Sequence, residues 1–381
     1  MKGVSQVLVK LLPGAGSDRV RRDRLRLAGM VALFFLVLCA VGILRPVRNS
    51  LALDGLGGTD FYKTYLVSAV VVLFVLPYNR LADRVPWRIL IPGVSLFFAA
   101  NLLCFRLLYR EGSAAFGVAF YGWYDLFAAA LVTQFFMATQ LSFNARDAKG
   151  AYPLVIAGGS IGATVGGAVT GFFAERVGTP NLMLVAALFM AAFAVGLPLV
   201  WPGEEGISGD GRAGPKTGRS RLGEIRELAS NPHVVLIGAM VLLTVLAKQI
   251  VDYEFNAITK EVFETRDAVS AFQGKFEAAT QWLPVVVLAG LRPTLRRWGV
   301  GVAIFLLPAF LLFALTGLAV VGGLWVAAGA RLGERSIRYS AERAGREILY
   351  VPVPPEIKLR AKAYIDMAVE KGLGRGLSGV L

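Results

Sequence analysis

A few ionisable residues lie deep inside long apolar stretches, where a charge is costly. Lys275 and Glu277 lie in the segment SAFQGKFEAATQW, and Asp125 lies in FYGWYDLFAAAL. A charged side chain at mid-bilayer costs about 2.5–3.5 kcal/mol on insertion scales, so it needs a partner, a water-filled cavity or a route to the interface. Lys275 follows about seven helical residues, which places it roughly 10 Å inside its stretch. These residues are candidate ligands for a charged solute.

Other charges lie nearer the ends of apolar stretches, so their side chains could instead reach the interface: Arg45, Arg48, Lys63, Asp252 and Glu254. Glu277 cannot share a helix face with Lys275, because residues i and i+2 point about 200° apart. Its partner is therefore expected on another helix. A cavity lined by several Lys and Arg side chains and a few acids favours phosphate-bearing solutes over sugars or neutral drugs.

The composition indicates an integral membrane protein. Of 381 residues, 56% are hydrophobic and only 17% are charged, whereas soluble domains have about 25% charged residues. The net charge of +14 comes from basic residues between the apolar runs, which is the positive-inside pattern and not a nucleic-acid-binding patch. His233 is the single histidine and Cys39 and Cys104 are the two cysteines, so the common His- and Cys-based catalytic and metal sites are excluded. No enzyme activity, metal or cofactor is predicted.

Apolar runs long enough to cross a bilayer of roughly 30 Å predict about ten spans. Eight lie at 27–46, 62–79, 89–108, 115–140, 151–174, 181–201, 233–256 and 268–290. The region 299–333 is expected to hold two more, folded back near Gly317. Gly158, Gly162 and Gly166 recur at i+4 intervals in the fifth run, which allows close approach of a neighbouring helix, as static packing or as a sliding surface.

Charge distribution predicts the topology and the division of the chain. The basic segment 1–26 is expected in the cytoplasm, with the chain in the inner cell membrane. The polar linker 202–231 separates a six-helix N-terminal half, 27–201, from a C-terminal half, 232–381. A weak repeat agrees with this division, because Lys63 and Lys275 each precede an Arg by 17 residues. Two such halves are the plan of the major facilitator superfamily.

The segment YNRLADRVPWR resembles the facilitator loop between spans two and three, with Asp83, Arg84 and Arg88 at matching positions. In that superfamily the loop latches the two halves, so these residues would form a gating loop. The alternative is an ordinary positive-inside loop with one acid.

Longer stretches resemble the ATP/ADP translocase family of plastids and intracellular bacteria, a branch of the facilitator superfamily. The most specific matches are SAFQGKF and REILYVPVPP, and ILRPVRNSLAL at 43–53 and FYGWYDLFAAALVTQFFMATQ at 120–140 support them. The resemblance implies a secondary transporter that exchanges ATP for ADP by alternating access. Together with the buried-charge argument, it predicts the substrate-binding residues Arg45, Arg48, Lys63, Asp125, Asp252, Lys275, Glu277 and Arg346.

The chain also departs from this family. Asn256 replaces a Lys of the seventh-span motif, and Asp125 and Asp252 replace longer Glu residues. Two other functions therefore stay open: transport of another phosphate-bearing or organic anion, and a non-transporting membrane sensor or scaffold. The sequence ends where the family begins its eleventh span, so we expect an incomplete chain or a degenerate protein.

Overall fold

The computed structural model describes residues 18–71, 85–143, 145–200 and 230–342, with short stretches between 345 and 380. We refer to 18–200 as the N-terminal segment and 230–380 as the C-terminal segment. The N-terminal helices are α1 (Asp18–Leu56), α2 (Lys63–Val71), α3 (Trp87–Leu108), α4 (Ala114–Ser142), α5 (Ala145–Val177) and α6 (Leu182–Val200). The C-terminal helices are α7 (Pro232–Val262), α8 (Arg266–Thr280), α9 (Leu283–Val320), α10 (Leu324–Ile337) and α11 (Gly374–Ser378). A π-helix, Arg338–Glu342, continues α10.

The architecture is that of a multi-pass helical membrane protein. Within the described residues, six helices are long and apolar enough to cross a membrane: α1 and α3 to α7. A shorter apolar stretch, Ile304–Val320, lies in α9. The predicted total of ten spans remains a prediction.

Capping residues explain where several helices begin. Ser113 accepts a hydrogen bond from the backbone N–H of Phe116 at the start of α4, and Thr265 accepts one from Ala268 at the start of α8. Asn231 caps α7, whose first residue is a proline. Such side chains satisfy N–H groups that have no partner in the first turn of a helix. The caps at Ser113 and Thr265 lie at one end of the bundle, where α1 ends at the turn containing Gly57; we call it the Gly57 end.

Glycines on α5 let it contact two other helices closely. A methyl group added at Gly162 or Gly166 would collide with backbone carbonyl oxygens of α1, which confirms the close approach predicted from their spacing. One added at Gly274 of α8 would lie 2.5 Å from the backbone nitrogen of Gly171 on α5. Helix α5 therefore packs against α1 in its own segment and against α8 across the segment boundary.

Three predicted helix boundaries are wrong. Helix α1 continues past residue 46 to Leu56 although it contains Pro46, and α7 continues past 256 to Val262. The charges of Arg45 and Asp252 suggested helix ends because charged residues are expected near the membrane surface. In the structure both charges are paired within the bundle, with Glu277 of α8 and Arg331 of α10, so the helices continue past them. The predicted span 268–290 is interrupted at Gln281 and Trp282, and proline in the first turn of α9 suits a new helix start.

The fold-back predicted near Gly317 lies slightly later in the chain. Helix α9 runs through Gly317 to Val320. The turn follows at Gly322 and Gly323, whose φ angles of 65° and 84° are readily adopted only by glycine. Arg292, Arg296 and Arg297 lie between the predicted span 268–290 and the region 299–333, where positive charge indicates a loop, but they are part of continuous helix α9.

Candidate functional site

A cavity of about 520 Å³ lies between the two segments, within the usual range of about 300–1,000 Å³ for ligand pockets. We call it the central cavity. Helices of both segments line it, and most of the lining is charged. Its cationic side chains are Arg45, Arg48, Lys248, Arg331, Arg335, Arg338 and Arg375, and its carboxylates are Asp125, Asp252, Glu277 and Glu334.

The first group of charges is centred on Glu277 of α8, which is 8% exposed. Arg45 of α1 donates to its Oε2 atom at 3.2 Å, and Arg335 of α10 donates to the same oxygen. Arg335 also donates to Gln281 Oε1 at 2.9 Å. Glu277 thus joins one cation from each segment, which confirms the expectation that its partner lies on another helix.

The second group is centred on Asp125 of α4. Arg48 of α1 pairs with its Oδ1 atom, and Arg375 of α11 pairs with Oδ2 at 2.5 Å. The Arg48 guanidinium lies 4.1 Å from the ring centroid of Tyr121 and 4.4 Å from that of Tyr124. Aromatic faces attract a cation, so they hold Arg48 in place. This group also spans the two segments.

The third group lies within the C-terminal segment and is centred on Asp252 of α7. Lys248 contacts one of its oxygens at 3.3 Å, and Arg331 of α10 contacts the other at 2.5 Å. A simpler pair, Arg338 with Glu334 at 2.5 Å, lies further along α10. We call the groups centred on Glu277, Asp125 and Asp252 the three triads.

Each triad combines two cations with one carboxylate and so has a net positive charge. Seven cations against four carboxylates leave an excess of three positive charges on the cavity lining. Charged side chains within a membrane protein characteristically line solute pathways. An anion with several oxygens can accept charge-assisted hydrogen bonds from these arginines.

Helix geometry places much of this charge at one depth. Arg45 precedes the end of α1 by eleven residues, and Asp125, Glu277 and Arg335 follow the starts of their helices by eleven. At 1.5 Å per residue, all four lie about 16 Å from the Gly57 end. They form a charged layer well inside the bundle.

A separate set of contacts joins the segments nearer the Gly57 end, and we call it the closing layer. Asn49 donates to Gln273 at 3.0 Å, and Gln273 donates to Asn256 at 2.9 Å. Ser50 and Ser270 share a hydrogen bond of 2.5 Å. These side chains are buried and uncharged. They join the two segments on the Gly57 side of the central cavity.

Thr179 and Asp267 continue the closing layer towards the surface. The Thr179 backbone N–H donates to Asp267 Oδ1 at 2.9 Å, and Arg266 pairs with Asp54 at 3.6 Å. Asp267 precedes the predicted span 268–290. Burial alone would raise its pKa, but the hydrogen bonds from Thr179 and the charge of Arg266 outweigh burial and lower the pKa below its usual value.

Five of the eight predicted substrate-binding residues line the central cavity: Arg45, Arg48, Asp125, Asp252 and Glu277. Three do not. Lys63 pairs with Asp60 at 2.7 Å near the Gly57 end, and Arg346 pairs with Glu342 at 3.4 Å. Lys275 lies on an exposed face of α8, 6.0 Å from the ring of Phe172. Despite its depth in the sequence, it faces away from the cavity.

The predicted gating loop falls largely outside the described residues. Asp83 and Arg84 lie there, and Arg88 lies in the first turn of α3. The gating role of these three residues remains a prediction. Across the part of the chain that the structure describes, no group of three or more His, Cys, Asp or Glu residues could hold a metal ion.

Five cavity cations were missed from the sequence. Arg331, Arg335 and Arg338 lie at or beyond the end of the apolar region 299–333, where positive charge indicates a cytoplasmic loop, although their i, i+4, i+7 spacing places them on one helix face. Lys248 lies four residues before Asp252, a spacing that also predicts a pair. No local sequence pattern predicts that Arg375 lines the cavity, because its partner Asp125 is 250 residues away.

No protein-family model matches the chain. Two chloroplast proteins of Arabidopsis thaliana, ADP,ATP carrier protein 2 and ADP,ATP carrier protein 1, are each 22% identical to it over 405 and 404 residues. The matches cover 88% of this chain but only 65% and 64% of those proteins. The chain therefore spans slightly less than two-thirds of the length of these relatives.

Solved structures show the same fold. The nucleoside transporter NupG superposes with a TM-score of 0.69 at 14% identity, covering 93% of this chain and 89% of that one. A bacterial metal transporter has a TM-score of 0.61 at 14% identity, with coverage of 95% and 91%. A POT family transporter in complex with 5-aminolevulinic acid has a TM-score of 0.60 at 14% identity, with coverage of 93% and 89%. The predicted all-α, major-facilitator-like helical bundle is confirmed.

Proposed function

We propose that the chain is a membrane carrier that exchanges nucleotides, ATP for ADP, by alternating access. The observation that carries this proposal is the central cavity, where seven cations outnumber four carboxylates between two helical segments. The relatives named as ADP,ATP carriers support the substrate, and the transporter fold supports the mode of action. Catalysis forms no part of the proposal.

The triads suit a polyphosphate because their arginines present planar, bidentate donors. Guanidinium groups match phosphate oxygens better than ammonium groups do. In the absence of substrate, Asp125 and Glu277 occupy the arginine donors that phosphate oxygens would take. Substrate binding would therefore exchange one set of ion pairs for another, and no arginine would be left desolvated without a partner.

The excess of positive charge favours exchange over one-way transport. The cavity lining has three more cations than carboxylates, and reorienting that charge without a bound anion in an apolar environment is costly. A bound nucleotide offsets the excess. The loaded carrier is then expected to reorient faster than the empty carrier, so that export of one nucleotide accompanies import of another.

Alternating access requires the contacts between segments to change. Glu277 with Arg45 and Asp125 with Arg375 cross the boundary, so a substrate that competes for these arginines loosens the connection. The closing layer then separates as the opposite end closes. We propose that the N-terminus of α1 is cytoplasmic in an inner membrane, and that the cavity faces the cytoplasm in this conformation. We also propose residues 27–201 and 232–381 as the two moving halves.

A second candidate substrate is another phosphate-bearing or organic anion, and Asn256 is the observation that favours it. The resembling family has a lysine there, whereas Asn256 accepts a hydrogen bond from Gln273 in the uncharged closing layer. One cation fewer near the site suits a smaller or less charged anion.

Counter-exchange in proteoliposomes tests the proposal. Vesicles containing the protein are loaded with unlabelled ADP, and uptake of labelled ATP is compared with that of vesicles without internal nucleotide. We expect uptake only with internal ADP, and we expect Arg48→Gln to abolish it. Arg110→Gln is the matched control, because Arg110 lies exposed in the loop before α4.

Uptake of another phosphate compound, but of neither ATP nor ADP, would support the second candidate. Failure of folded protein to take up any of these anions would overturn the transport proposal.

A further inference from the structure

The central cavity has a second layer, beyond the triads as seen from the Gly57 end. Ala128, Ala129, Val132 and Thr133 of α4 line it on the side of the N-terminal segment. They follow Asp125 by three, four, seven and eight residues, so they continue its helix face. Ala129 follows the start of α4 by fifteen residues, which places it about 22 Å from the Gly57 end. This wall is uncharged and made of small side chains.

An exposed aromatic side chain lies on the opposite side of the cavity at a similar depth. Tyr339 follows the start of α10 by fifteen residues, as Ala129 follows the start of α4. It lines the cavity and is 45% exposed. The Arg338 guanidinium lies 4.3 Å from the centroid of its ring, which orients the ring while leaving it accessible to a ligand. Tyr121 and Tyr124, by contrast, are 6% and 2% exposed.

We infer that this second layer is a subsite for the flat, uncharged ring of the substrate, with Tyr339 as its stacking platform and Ala128, Ala129 and Val132 as the facing wall. The inference rests on the proposed function and adds an orientation to it. The phosphates lie against the triads, towards the Gly57 end, and the base lies further from that end.

The chemistry of the subsite also predicts its selectivity. An aromatic face stacks on any nucleobase, because every base has a π-face. Alanine and valine side chains offer no hydrogen bonds that could distinguish one base edge from another, and the Thr133 hydroxyl can donate or accept, so it fits either kind of edge. The subsite therefore selects for the presence of a base more than for its identity. Adenine and guanine nucleotides are expected to bind with similar affinity, and a polyphosphate without a base is expected to bind more weakly.

Binding measurements on the full chain in lipid nanodiscs test this inference. Calorimetric affinities for ATP and for tripolyphosphate, which lacks the base and the sugar, are compared between wild type and variants. Stacking of a base on an aromatic residue predicts that Tyr339→Ala weakens ATP binding about tenfold and leaves tripolyphosphate binding unchanged. Tyr339→Phe retains the ring and should bind ATP like wild type. Tyr62→Ala, at an exposed tyrosine outside the central cavity, is the matched control.

A second variant tests the facing wall. Ala129→Trp fills the space opposite Tyr339, so ATP binding should fall by at least the same factor while tripolyphosphate binding persists. Retained tripolyphosphate binding also demonstrates that the variant is folded. Should Ala129→Trp fail to fold, Tyr339→Ala and Tyr339→Phe decide the question.

The outcomes separate this inference from the proposed function. Equal loss of ATP and tripolyphosphate binding in Tyr339→Ala, or equal affinity of wild type for the two ligands, would overturn the base subsite and leave a polyanion carrier. Binding of neither ligand to folded wild type would overturn the proposed function itself.

Discussion

The central cavity and the closing layer connect the same two segments by different chemistry. In the cavity, Arg45 with Glu277 and Arg375 with Asp125 cross the boundary as ion pairs. In the closing layer, about one to two helical turns nearer the Gly57 end, the crossing contacts are neutral, as between Asn49 and Gln273. Arg266 with Asp54 adds a charged pair at the outer rim.

The difference suits two tasks of the proposed alternating-access carrier. Neutral hydrogen bonds can be exchanged for bonds to water at small net cost, typically about 0.5–1.5 kcal/mol each. Breaking a buried ion pair without a replacement partner costs several times more. In the proposed mechanism, the neutral contacts of the closing layer can therefore open and close repeatedly, whereas the triads separate only when an anion replaces their carboxylates.

Arg335→Gln should have the largest effect on this comparison. It leaves the buried Glu277 with Arg45 as its remaining cation, and loss of one partner from a buried ion pair costs on the order of 3 kcal/mol. We expect a clear fall in the Tm of the purified protein. Adding Glu277→Gln should restore part of the loss, because the unbalanced charge is removed. An unchanged Tm in Arg335→Gln would contradict the triad, and Arg110→Gln serves as the control.

Gln273→Leu should have an intermediate effect, confined to the closing layer. It removes the middle member of the chain from Asn49 to Asn256, and buried polar groups left without partners cost about 1–3 kcal/mol. We expect the Gly57 end to open more often. Labelling of Ser270→Cys by an impermeant thiol reagent, with Cys39 and Cys104 replaced by serine, measures this opening.

The matched control for Gln273→Leu is Asn101→Leu, because Asn101 is half-buried and donates to the Phe97 carbonyl of its own helix. Unchanged labelling in Gln273→Leu would show that the amide chain does not hold this end closed. The increase in opening caused by Gln273→Leu should be insensitive to salt, since neutral contacts are not screened, whereas the pair of Arg266 with Asp54 at the rim is screened in both proteins.

Acidification should have the smallest effect, through Asp267. Its lowered pKa means that its contact with Thr179 stabilises the closing layer above the ordinary aspartate pKa, about 3.9. This stabilisation is lost as the pH falls through the lowered value. The thiolate is the reactive form of cysteine, so labelling is expressed relative to that of an exposed cysteine at the same pH. Relative labelling of Ser270→Cys should therefore rise below about pH 4, and Asp267→Asn should weaken this dependence. An identical pH dependence in both proteins would exclude Asp267 as its source.

Local patterns predicted the helices but not the charge network. Apolar runs located the long helices. The i+2 spacing from Lys275 correctly predicted that the partner of Glu277 lies on another helix. The same charges led to wrong boundaries, because the predicted spans end at residues 46 and 256, close to Arg45 and Asp252, whereas the helices continue to Leu56 and Val262. Lys275 was expected in the cavity because depth can be estimated from a single run of residues. The direction of its side chain depends on which helices pack against α8.

The order in which the chain is synthesised determines when each triad can form. The partners of α1 come much later, since Asp125 is 77 residues after Arg48 and Glu277 is 232 residues after Arg45. At about 5–20 residues per second, Arg48 waits roughly 4–15 seconds and Arg45 roughly 12–46 seconds. During that interval both guanidiniums must stay in contact with water or the insertion machinery, because an unpaired arginine in the bilayer is costly. The first helix is thus among the earliest synthesised and among the last to settle at its final depth.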